Sequence, residues 1–291
     1  MPIKSSKLVR HSASFLYAGK EIQCSFWSND TPGTTPDTVL FLGTGQVGKI
    51  PKWIAGKTPF GVVVVEGLPH WHSDPSGEDL KEFTQLYTES VFRDVLDKFR
   101  TTRMHIIGVS QATPGTVWLA NSMSENIKNV ALVLPMGLTT NILGSTDRER
   151  FKELRKRSIQ TLLQPGQSPF HDFRNIYIAA LLTKIVVAGI PSGSTVNKYT
   201  AGISQDLLAD FESLIATQEK YKRHVSLLIG AEDKIFPAHE IKQALAEAAL
   251  DNVDMLVVPK LSHSSLAIKS SQQVVDQAIN TVRNVKLANE L

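Results

Sequence analysis

The 291-residue sequence predicts an α/β protein built on a mainly parallel sheet. Three observations carry that prediction. Short, wholly apolar runs recur along the chain, as expected of strands buried on both faces. Segments with apolar residues at three- and four-residue spacing separate them, and Gly, Pro and Asp mark the changeovers. Hydrophobic residues make up 42% of the chain, ample for a large core. With 31 Lys and Arg against 28 Asp and Glu, the net charge is +3, too small a field to imply general affinity for nucleic acid. Cys24 is the only cysteine, which excludes an intramolecular disulfide framework and cysteine-based zinc or iron-sulfur sites. Residues 1–15 hold Lys4, Lys7, Arg10 and His11 and lack the apolar run of a secretory signal, so a cytoplasmic protein is expected.

In chain order, residues 13–17 and 21–27 read as two strands of a hairpin around Ala18-Gly19-Lys20. Residues 31–37, with Pro32, Gly33 and Pro36, form a loop before the apolar strand 38–42. Further buried strands are expected at 62–65, 105–107 and 130–134, with a helix over 78–99 on which Leu80, Phe83, Leu86, Tyr87, Val91, Val95 and Phe99 share a face. Between 139 and 222 the alternation stops, and helices are expected over 147–163, 170–189 and 204–221. Strands resume at 225–229 and 255–258, followed by a last helix over 272–285. The expected organisation is a core (1–138 and 223–291) interrupted by a helical cap insertion (139–222). The most apolar stretch, 176–190, contains Lys184 and falls short of the ~20 residues a bilayer span requires, so no membrane span is expected. It reads instead as a buried or pocket-lining helix. The cluster Arg148, Arg150, Lys152, Arg155, Lys156 and Arg157, tempered by Asp147, Glu149 and Glu153, reads as a solvated helix face.

The loop Gly43-Thr44-Gly45-Gln46-Val47-Gly48-Lys49-Ile50 matches two nucleotide motifs. As G-x-G-x-x-G it would admit a pyrophosphate to a helix N-terminus, with Glu66 on a ribose hydroxyl. Against this, the following helix must fit between Lys49 and Thr58 with Pro51 and Gly56 inside it. As a P-loop it would use Lys49 on phosphate, but Ile50 stands where a magnesium-binding hydroxyl is needed. A tight strand-to-helix turn is the third reading. His70 and His72 flank Trp71, but a zinc site needs a third ligand, so this loop is expected to border a pocket.

The segment 104–112 is a strand running into Gly108-Val109-Ser110-Gln111-Ala112, a Gly-x-Ser-x-Ala turn ahead of a helix. A nucleophile on such a sharp bend needs small residues two positions either side, because strand and helix backbones pass close together. Ala112 adds one methyl group to the usual glycine. A serine hydroxyl needs a base, and the base an orienting acid. Strand 225–229 empties into Gly230-Ala231-Glu232-Asp233, and strand 255–258 into a loop ending at His263. In a parallel sheet these loops share one edge. Glu232 is the rival acid; Ser110 could instead cap a helix and Asp233 start a turn.

On these residues the chain resembles the α/β-hydrolase-fold superfamily, from the hairpin to the final helix. The resemblance implies a mainly parallel sheet flanked by helices with an inserted helical cap, a nucleophile at Ser110, an acid at Asp233 and a base at His263. It also implies an oxyanion hole from the backbone N–H groups of Gln111 and Gly45, with Thr44 as a second candidate, and no cofactor. The glycines of that loop would let backbone approach a developing oxyanion. The expected function is hydrolysis of an ester or related acyl bond of a small, partly apolar substrate through an acyl-enzyme. Trp71, Leu138, Ile178 and Leu182 are expected to line the pocket. Two other readings stay open: a nucleotide-binding protein using residues 43–49, and a non-catalytic hydrolase-like binding protein.

Overall fold

A two-residue turn suits a hairpin when both central residues take positive φ, and Ala18 (47°) and Gly19 (75°) do so. They join β1 (Lys7–Tyr17) to β2 (Lys20–Asp30) with Tyr17 opposite Lys20. Both strands outrun the expected 13–17 and 21–27. Pairing continues through polar Lys7, Arg10 and Ser28, because a half-solvated antiparallel ribbon does not require an apolar run. The computed structural model describes residues 7–30, 35–43, 49–58, 61–67, 80–139, 143–162, 207–250, 252–263 and 271–284.

The apolar runs become β3 (Thr38–Phe41), β4 (Val62–Val65), β5 (Met104–Val109), β6 (Ile127–Val133), β7 (Val225–Gly230) and β8 (Asp254–Val258). With the hairpin they form one eight-stranded sheet in the order β1-β2-β4-β3-β5-β6-β7-β8. β3 to β8 are mutually parallel, and β2 joins β4 antiparallel. The two-residue period of a strand explains why these runs are apolar throughout. Val39, Phe41, Val63, Val65, Ile106 and Leu132 face one hydrophobic cluster, and Leu40, Val62, Val64, Ile107 and Val133 face the other.

Helices fill both layers. The first cluster includes Phe83 and Tyr87 of α2 (Leu80–Phe99), Val117 and Leu119 of α3 (Thr113–Ser122), and Phe211 and Leu214 of a later helix, Leu207–Ala216. The second takes Ile54 and Ala55 of α1 (Lys49–Lys57) and Val275, Ala278 and Ile279 of a last helix, Ser271–Asn284. Helix α1 forms despite Pro51 and Gly56. Pro51 lies in the first turn, where no intrahelical donor is lost, and a Cβ at Gly56 would come within 2.9 Å of Leu8 Cδ1, so glycine lets the helix lie on β1.

In the segment expected to be helical, α4 (Asp147–Leu162) precedes α5 (Leu207–Ala216) and α6 (Gln218–Tyr221), and the expected 170–189 helix lies outside the described residues. The chain breaks between α5 and α6 at Thr217, whose hydroxyl donates back to the Ser213 carbonyl. Of the helix expected over 204–221, the described part is thus two short helices, and 204–206 lie outside the described residues. Beyond β7 follow α7 (Ala238–Glu247) and α8 (Ser271–Asn284). The basic cluster on α4 is not uniformly a solvated face. Arg148, Lys152 and Lys156 are exposed, but Arg150 is buried, donating to the Gly144 and Ser145 carbonyls, and Arg157 turns towards the core. An arginine that finds carbonyl or carboxylate acceptors can leave solvent in a way sequence spacing does not reveal. Among the described residues no helix is long and apolar enough to cross a membrane.

Candidate active site

The bend after β5 stores backbone strain at one residue. Ser110 has φ +53°, a conformation that costs a non-glycine residue on the order of 1–3 kcal/mol. It opens a short 3-10 turn, Ser110–Ala112, that leads directly into α3. The close passage of strand and helix is measurable: a Cβ at Gly108 would lie 2.3 Å from Thr116 Oγ1. The Thr116 hydroxyl donates to the Ala112 carbonyl at 2.8 Å, one turn back along the chain. Pro114 sits near the helix start, where its missing N–H costs nothing. Ser110 is not a helix cap. Its Oγ lies 2.7 Å from His263 Nε2.

Gly230 and the loop after β8 bring Asp233 and His263 together. A Cβ at Gly230 would meet the Leu261 carbonyl oxygen at 2.4 Å, so only glycine lets the two loops pass this closely. Ala231 N–H donates to the Val258 carbonyl and Glu232 N–H to the Leu261 carbonyl, both at 3.0 Å. These bonds hold the loop carrying Asp233 to the loop carrying His263. His263 Nδ1 then lies 2.7 Å from Asp233 Oδ2. Glu232, the rival acid, is exposed, whereas the Asp233 side chain is 1% exposed.

A buried carboxylate is tolerated only when its lone pairs are satisfied. Asp233 Oδ1 accepts the backbone N–H groups of Ile235 (2.8 Å) and Phe236 (3.1 Å), while Oδ2 faces the imidazole. The Asp233 carboxylate thus serves the turn and faces the imidazole at once. One carboxylate oxygen orders the turn and the other orients the histidine. Sequence reasoning missed Phe236, whose ring centroid lies 5.4 Å from that of His263. The available signal was an apolar residue three positions beyond the acid and just before Pro237. With the Nδ1 proton directed at Asp233, Nε2 is left as an acceptor for the Ser110 hydroxyl. The arrangement can therefore withdraw a proton from Ser110 and stabilise the resulting imidazolium.

Gln111 follows Ser110 in the same turn, and a Cβ built on Gly43 would be 3.6 Å from its backbone nitrogen, so the loop after β3 begins against that group. Leu138, in the loop after β6, is buried in the same cluster as Met136 and Leu207. Thr44, Gly45, Trp71, Ile178 and Leu182 lie outside the described residues, as do His70 and His72. Glu66, the ribose ligand of the dinucleotide reading, accepts the Trp27 indole N–H at 3.3 Å and lies 3.7 Å from Arg10. Among the described residues no three His, Cys, Asp or Glu side chains are grouped as metal ligands.

No protein-family profile matches the chain, and no curated protein matches it either. Solved structures do. A 2-hydroxy-6-oxo-6-phenylhexa-2,4-dienoate hydrolase from Rhodococcus is 16% identical with a TM-score of 0.56, covering 96% of this chain and 100% of the other. A haloalkane dehalogenase from Agrobacterium tumefaciens is 13% identical with a TM-score of 0.55, covering 94% and 97%. The naproxen esterase of Bacillus subtilis is 14% identical with a TM-score of 0.54, covering 96% and 92%. At these identities the likeness concerns the framework. Its members' names span a hydrolase, a dehalogenase and an esterase, so the framework alone does not select a reaction.

Proposed function

We propose that this chain, which has the α/β-hydrolase fold, is a serine hydrolase cleaving an ester or related acyl bond of a small, partly apolar substrate. The observation that carries the proposal is the unbroken relay from Asp233 through His263 to Ser110, with both links at 2.7 Å. Ser110 Oγ attacks the carbonyl carbon as its proton passes to His263 Nε2. The tetrahedral intermediate collapses when His263 returns that proton to the leaving oxygen, giving an acyl group on Ser110. Water then attacks the acyl carbon, His263 takes the water proton, and the carboxylic acid leaves as Oγ regains a proton. Asp233 stays ionised throughout, fixing the tautomer and the ring orientation.

The oxyanion would be held by the backbone N–H of Gln111 and by Gly45 or Thr44 in the adjoining loop. Such donors typically contribute ~3–4 kcal/mol each to transition-state stabilisation. Apolar side chains such as Leu138 suit an acyl or alkyl group, with Trp71, Ile178 and Leu182 as further candidates. This chemistry requires no cofactor. The experiment is to incubate wild type and Ser110→Ala with a fluorophosphonate probe and a series of short-chain nitrophenyl esters. Labelling and turnover should be confined to wild type, with Ser110→Ala lower by on the order of 10⁴-fold or more. A folded wild type that is neither labelled nor active would overturn the proposal in favour of a binding protein.

A further inference from the structure

Arg157 leaves solvent to meet the acid loop from outside the sheet. It sits on α4, in the segment between β6 and β7, far in sequence from Ile235 and Glu240, which it meets in space. Its Nη1 donates to Glu240 Oε2 at 2.7 Å and to the Ile235 carbonyl at 3.2 Å, while Nε donates to Glu153 on its own helix at 3.0 Å. The side chains of Arg157 and Glu240 are 12% and 11% exposed, so this ion pair is largely removed from water.

Ile235 is gripped on both sides. Its carbonyl accepts from Arg157, and its N–H donates to Asp233 Oδ1 at 2.8 Å. The next residue, Phe236, gives its own N–H to the same carboxylate oxygen and lays its ring against His263. Glu240 stands in the first turn of α7, whose start follows this loop after Pro237. Arg157 therefore spans the acid loop from its middle to the helix that ends it. A planar guanidinium with several fixed donors suits such a bridge better than an ammonium.

We propose that Arg157 is a positioning residue for the Asp233–His263 pair, holding the 233–237 loop so that both Oδ1 donors and the Phe236 ring stay in place. The proposal rests on the serine hydrolase reading for its effect on rate, but not for its effect on geometry. Loss of the guanidinium frees the Ile235 carbonyl and lets the Asp233 carboxylate rotate away from Nδ1. The base is then less well oriented, so kcat falls while KM changes little.

The test compares wild type, Arg157→Met, the double variant Arg157→Met/Glu240→Met, and Asp233→Asn. The single variant strands the Glu240 carboxylate and loses stability. The double variant removes that buried charge as well, and its melting temperature should return close to wild type. A positioning role predicts that the double variant nevertheless keeps kcat on nitrophenyl esters reduced about tenfold, with KM within about twofold. A second readout needs no turnover. The His263 Nδ1 proton held by Asp233 should give a far-downfield proton resonance, assigned by its loss in Asp233→Asn. That resonance should shift or broaden in both Arg157 variants.

Recovery of kcat and of the wild-type resonance together with the melting temperature would overturn the proposal and leave Arg157 a purely structural residue. A wild type without esterase activity would remove the functional reading alone, and the resonance would still decide the role of Arg157.

Discussion

Gly230→Ala tests the contact that brings acid and base together. The added methyl would sit 2.4 Å from the Leu261 carbonyl oxygen, where ordinary contact begins at 3.4 Å, so the loops must separate by about 1 Å. Leu134 Cδ2, at 3.0 Å, can yield because it ends a flexible side chain. The Leu261 oxygen cannot, since it is backbone and accepts the Glu232 N–H. His263 lies two residues beyond Leu261 and moves with it, lengthening the 2.7 Å bond to Asp233 past hydrogen-bonding range. A 1 Å displacement of a catalytic group costs on the order of 100-fold in rate, and overpacking of this kind costs about 1–3 kcal/mol of stability. The assay is kcat for nitrophenyl ester hydrolysis beside a denaturant titration. A Gly230→Ala protein with wild-type kcat would refute the claim that this glycine sets the acid-base spacing.

Asp233→Asn should keep the backbone turn but present an amide to the imidazole, favouring the wrong tautomer; kcat is expected to fall by on the order of 10⁴-fold with KM little changed. Steady-state kinetics on a folded variant checks this. His105, at the opposite end of β5 from Ser110, has its pKa lowered from 6.5 to about 4, chiefly by burial, with Lys128, Arg283 and Arg103 adding to the shift and Asp37 opposing it. The folded protein holds this ring neutral while the unfolded chain protonates it below about pH 6.5. Its stabilising contribution is thus complete above that pH and is lost as pH falls towards 4, amounting to about 2 kcal/mol by pH 5. Denaturant midpoints across that range should flatten in His105→Val. Cys24 is buried, donates to the Ala13 carbonyl at 3.2 Å, and has its thiol pushed up to about 12, first by burial and then by Asp94. Alkylation at pH 8 should therefore follow unfolding; rapid labelling of native protein would contradict this burial.

Much of the fold is legible because buried parallel strands write themselves as apolar runs. The Val62–Val65 strand falls on its expected residues, β5 extends past 105–107 at both ends, and β6, expected over 130–134, begins earlier at Ile127 and ends at Val133. The hairpin outruns its expected length because its outer residues are polar. The single helix expected over 204–221 is interrupted at Thr217, a break that periodicity does not carry. At the site, strand ends point to Ser110, Asp233 and His263, because a parallel sheet gathers such loops on one edge. What stays hidden is second contact. Phe236 beside the imidazole and Arg157 beside the acid loop depend on how loops and helices meet in space, and nothing in local spacing marks an arginine that will turn inward.

His263, the proposed base, is carried at the margin of the sheet. Among the described residues β8 pairs only with β7, and its residues are exposed or half-buried, whereas every residue of β5 is buried. The proposed nucleophile and proton acceptor therefore sit on parts of the molecule with unequal resistance to opening. Under mild denaturation the margin should peel while the centre endures, and a chain in that condition would keep nearly all its secondary structure with Ser110 left without a partner. Catalytic competence would then report the integrity of the last strand rather than that of the whole.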